Sequence, residues 1–212
     1  MSQRTETTSP VIKLFVDEWT RALDEAQGLL VQRVRAELDE LLAGVHPRVD
    51  AETERWRELL ALDWLVRTAT PAWLRLVPSL TAQAERLEQL PDLTQPDVDY
   101  AAVGVTLRAA RDAAWEAGME TVRDAARETD SDAVWHATWH AACDAAWDAA
   151  RETASDAASD AASDAEWDAA IDAASDAASY AARAAALQTT LASTVTALQA
   201  SALDLLRRMI AA

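Results

Sequence analysis

Apolar residues return every three or four positions along most of this chain, which is the period of an α-helix with one buried face. The first stripe runs Ile12, Phe15, Trp19, Leu23, Leu30, Val34, Leu38 and Leu41, with Ser9 as candidate N-cap, Pro10 in the first turn and Gly44 just past the end. The chain then turns, and Asp50, Glu52 and Glu54 place negative charge at the start of a second helix carrying Trp56, Leu59, Leu60 and Trp64. Thr70-Pro71 and Val77-Pro78 punctuate the next segment, because a residue before proline avoids the helical region, so short helices are expected over 71–77 and 79–90. A last stripe, Leu187, Leu191, Val195, Leu198, Ala202, Leu205 and Met209, predicts a packing helix that closes against the N-terminal ones.

Between these stripes lies a different pattern. From Asp112 to Asp176 the sequence keeps a four-residue register: an acid, two mostly small residues, then a variable fourth position. Counting every fourth residue, fifteen of the seventeen first positions are Asp or Glu, and His136 and His140 fill the other two. All seventeen second positions are Ala or Thr, so the repeat is helical by propensity as well as by period. The composition of Leu90 to Gly104, with Pro91 and Pro96, marks an internal boundary. The expected organisation is an N-terminal helical region over 1–92, a linker over 93–104, acidic tetrapeptide-repeat helices over 105–186 and the packing helix over 187–212.

A four-residue repeat advances about 400° on an α-helix, so the acid stripe drifts by about 40° per unit and winds around the helix as a right-handed spiral. Seventeen units in one helix would extend on the order of 100 Å, against about 40 to 45 Å for a compact domain of this length. The protein is therefore either elongated or folded back within the array. Thr129-Asp130-Ser131-Asp132 and Thr153-Ala154-Ser155-Asp156 both match a capping pattern and favour breakage there. The expected fold is an all-α multi-helix bundle with at least two repeat helices.

Charge narrows the function classes. The net charge is −17, and residues 128–182 hold thirteen acids against the single Arg151. Nucleic-acid phosphates would be repelled by that surface, so no direct nucleic-acid binding is expected, and a basic protein surface is the natural partner. With Cys143 as the only cysteine, no disulfide framework or four-cysteine zinc site can form within one chain. The polar N-terminus and the lack of an apolar run of roughly 20 residues predict a cytoplasmic protein without a membrane span.

Several residue groups are candidates for chemistry. His136 and His140 lie one turn apart, with Asp132 and Asp144 continuing the stripe and Cys143 beside it; such a set can ligate zinc or copper. However, no Glu follows the first His, as a helical zinc protease needs, and both histidines occupy acid slots of the tetrad, so the register alone explains their spacing. No metal or other cofactor is expected. Trp115, Trp135, Trp139, Trp147 and Trp167 take fourth positions and are read as large knobs filling space between Ala-rich helices. Ser155, Ser159, Ser163, Ser175 and Ser179 take the same slot with no histidine base beside them, so hydrolase chemistry has no support and the protein is not expected to be an enzyme.

Asp63-Trp64-Leu65-Val66-Arg67, then Thr70-Pro71-Ala72-Trp73-Leu74 and the Ala/Asp/Trp array, resemble hypothetical tetrapeptide-repeat proteins of high-GC bacteria and their phages. The resemblance spans about residues 56–184 and implies no activity or site residue. The leading functional expectation is an acidic helical interaction protein whose partner-binding candidates are Asp156, Asp160, Asp164, Asp168, Asp172 and Asp176. Those six make five like-charged i, i+4 pairs, costing roughly 1 to 2.5 kcal/mol together, which selection for helix stability alone would have relieved with Lys or Arg. At a charge radius of about 6 Å, successive carboxylates stand about 7 Å apart on a right-handed spiral, close to neighbouring phosphates of one DNA strand, so a nucleic-acid mimic or inhibitor is one form of this expectation. The alternatives are a structural or assembly protein, such as a phage-related spacer, that self-associates, and a small metal-binding protein centred on His136 and His140.

Overall fold

The computed structural model describes residues 9–25, 29–43, 49–128, 158, 168–186 and 191–212. Among them every regular element is a helix: α1 (Pro10–Glu25), α2 (Leu29–Leu42), α3 (Ala51–Trp64), α4 (Thr70–Leu74), α5 (Thr81–Glu88), α6 (Tyr100–Glu128), α7 (Asp168–Ala186) and α8 (Ala192–Ala211). They pack as an all-α bundle around one apolar cluster.

The long stripes do what their period predicts. Ile12, Phe15, Trp19, Leu23, Val34 and Leu38 are buried, and so are Val195, Leu198, Ala202, Leu205 and Met209 on α8. Helix α8 packs against α1, α2 and α3, so the first and last helices meet. Ser9 caps α1 as expected, its hydroxyl accepting from the Ile12 amide at 3.1 Å. Asp50 caps α3 in the same way, accepting from the Thr53 amide at 2.9 Å and its hydroxyl at 3.0 Å.

Helix α3 departs from its expected face. Trp56 is 40% exposed, whereas the next residue, Arg57, is fully buried. The guanidinium can occupy the interior because two of its nitrogens are engaged: Nε donates to the Met209 carbonyl at 2.8 Å and Nη1 pairs with Glu54. The other Glu54 oxygen accepts from the Ser9 hydroxyl at 2.8 Å and the Val11 amide at 3.2 Å. One ion pair thus ties the start of α1, the first turns of α3 and the end of α8.

The two proline signals have different outcomes. At Val77-Pro78 the chain does leave the helix, with Val77 extended at φ −109°, ψ 111° before a 3-10 turn over Pro78–Leu80. At Thr70-Pro71 it does not: Thr70 stays helical at φ −59°, ψ −48°, and Leu65–Ala69 is wound as a π turn that joins α3 to α4. Proline in a regular α-helix would clash with the carbonyl four residues back. The wider winding avoids this, with the Thr70 amide bonding five residues back to Leu65 and its hydroxyl reaching the same carbonyl at 2.9 Å. That hydroxyl also lies 3.3 Å from the Ala174 carbonyl of α7, so the π turn is seated against the repeat.

Helix α6 begins at Tyr100, inside the stretch expected to be a linker over 93–104. The connection before it is held in place: Leu93 is fully buried and its carbonyl accepts the Tyr100 hydroxyl at 2.7 Å. The composition correctly marks a turn, but the helix restarts within it because Asp99 caps the new first turn, accepting from the Ala102 amide at 3.1 Å.

Among the described residues α6 and α7 form the most extensive helix pair, and α4 packs on α7 as well. Trp115 and Tyr180 touch across the pair, with ring centroids 5.1 Å apart. On one straight helix these two residues would stand about 100 Å apart, so the array is not a single rod. The two expected break points, 129–132 and 153–156, lie outside the described residues. Gly118 of α6 faces α7, and a Cβ built there would meet the Tyr180 carbonyl oxygen at 3.8 Å, an ordinary contact. Gly118→Ala should therefore raise unfolding free energy by about 0.8 to 1 kcal/mol through helix propensity, measurable by urea denaturation.

Candidate functional site

On α6 the apolar stripe is Val103, Leu107, Ala110, Ala114 and Ala117, spaced four, three, four and three residues apart. This stripe, not the tetrad, fixes which face is buried. The acid slots Asp112, Glu116, Glu120 and Asp124 all remain exposed. Glu116 and Glu120 make no ion pair among the described residues; Asp112 pairs with its neighbour Arg111 at 2.9 Å and holds that guanidinium above its ordinary range.

On α7 the drift of the tetrad is directly visible. The acid slot is exposed at Asp172 and half-buried at Asp176, and it continues through half-buried Tyr180 to buried Ala184. Each unit turns the slot by about 40° toward the core, and where the slot enters the interior the acid gives way to Tyr and then Ala. The second position turns inward earlier along the chain, from exposed Ala169 to buried Ala173, Ala177, Ala181 and Ala185. Small residues at these positions let α7 lie close to both α6 and α4.

Of the six acids expected to bind a partner, Asp172 is exposed and Asp176 half-buried, and Asp168 opens α7. Asp156, Asp160 and Asp164 lie outside the described residues, as do Asp132, His136, His140 and Asp144. Among the described residues no group of three or more His, Cys, Asp or Glu is arranged to hold a metal ion. For the histidine pair the tetrad register predicts a calorimetric zinc titration without any site that disappears in the His136→Ala, His140→Ala double variant.

Trp115 corrects the reading of the repeat tryptophans as interior knobs; the other four lie outside the described residues. It is 51% exposed, because it stands one residue past buried Ala114 and is turned about 100° off the core stripe. Its ring meets Tyr180 edge-on at an interplanar angle of 65°, and the Arg183 guanidinium lies 6.0 Å from the Tyr180 centroid. An aromatic pair with cationic and anionic neighbours therefore lines the surface seam of α6 and α7.

A second polar cluster surrounds the Asp63–Arg67 string. Buried Asp63 accepts from Arg67 and from the Leu93 amide, each at 3.0 Å, and Trp64 donates through Nε1 to the Ser201 hydroxyl at 2.8 Å. Asp92 is held below the ordinary carboxylate range, first by the Thr94 hydroxyl and then by its amide, while burial pushes the Tyr100 hydroxyl up. These bonds anchor the 89–99 connection to α3, and α3 to α8, and leave the string a packing role. No helix among the described residues is long and apolar enough to cross a membrane. No protein-family model, curated protein or solved structure matches the chain.

Proposed function

We propose that this protein is a non-catalytic interaction module that engages a basic protein surface through the acid slots of its repeat. One observation carries the reading: the slot holds an acid at its solvent-facing positions on α6 and α7, and on α7 it loses the acid where it turns inward. A helix needing only solubility would mix Lys among such acids, since like charges at i, i+4 cost roughly 0.2 to 0.5 kcal/mol per pair. Retaining acids on the solvent side alone supports a partner of opposite charge. A nucleic-acid mimic is the narrower form of this reading, in which duplex DNA competes for the same partner.

The test is titration of the full chain with an oligo-arginine peptide over a range of salt. Binding should weaken steeply with ionic strength, and Glu116→Gln, Glu120→Gln and Asp172→Asn together should weaken it further and flatten the salt dependence. Removing these charges should leave helix content unchanged and keep or slightly raise the melting temperature. Absence of binding at low salt, or affinity indifferent to the triple variant, would sink the proposal.

A further inference from the structure

We draw no further inference here: the strongest candidate, the half-exposed Trp115 with Tyr180 on the surface seam of α6 and α7, is an aromatic patch bordered by charges of both signs, and nothing in the structure shows what covers it.

Discussion

Arg57→Ala is expected to remove roughly 3 to 5 kcal/mol of stability, lowering the melting temperature by about 10 °C or more. The cause lies in the groups left behind. Glu54 keeps only 13% side-chain exposure and loses the cation beside it, and the Met209 carbonyl loses its donor. A charge stranded in the interior costs more than the pair itself contributes, because water no longer compensates either group. Replacing both partners, Glu54→Leu with Arg57→Met, should therefore recover much of the loss. Recovery will be incomplete, since Glu54 also accepts from Ser9 and Val11 at the start of α1. Urea denaturation of the two single variants and the double variant gives the coupling directly. A loss below about 1 kcal/mol in Arg57→Ala would show that the clasp is not formed in solution.

Ala177→Leu should cost about 1 to 3 kcal/mol, whereas Ala169→Leu, two repeat units earlier in the same slot, should stay within about 0.5 kcal/mol of wild type. In sequence the two alanines are equivalent members of one register. In the fold Ala177 is fully buried on α7 and Ala169 is exposed. Leucine at Ala177 forces off-rotamer packing or a shift of the helix, and at Ala169 it meets solvent. Equal effects at the two positions, measured by chemical denaturation, would mean that the repeat does not rotate into the core along α7.

The helical class, the faces of the long terminal helices and the sense in which the tetrad winds are all legible in the sequence. These properties are local: a stripe such as Ile12, Phe15, Trp19 and Leu23 needs only 3.6 residues per turn to specify its buried side, and a four-residue repeat on the same helix must drift. The cap at Ser9 is legible for the same reason, since donor and acceptor lie three residues apart. Within the candidate site, the repeat identifies the acid slots but cannot say which of them face solvent.

The remaining features depend on tertiary contacts, because their causes lie far apart in the chain. Arg57 is interior and Trp56 is not because Met209, 152 residues away, supplies a carbonyl that accepts from the guanidinium. Pro71 bends the winding into a π turn instead of ending the helix, and Thr70 there rests against the Ala174 carbonyl. Trp115 comes to the surface because the spacing of Val103 to Ala117, not the tetrad, chose the buried face of α6. An array of near-identical Ala and Asp units offers many similar faces and few distinguishing side chains. Which of those faces meets a neighbour is settled by the helices already packed around it.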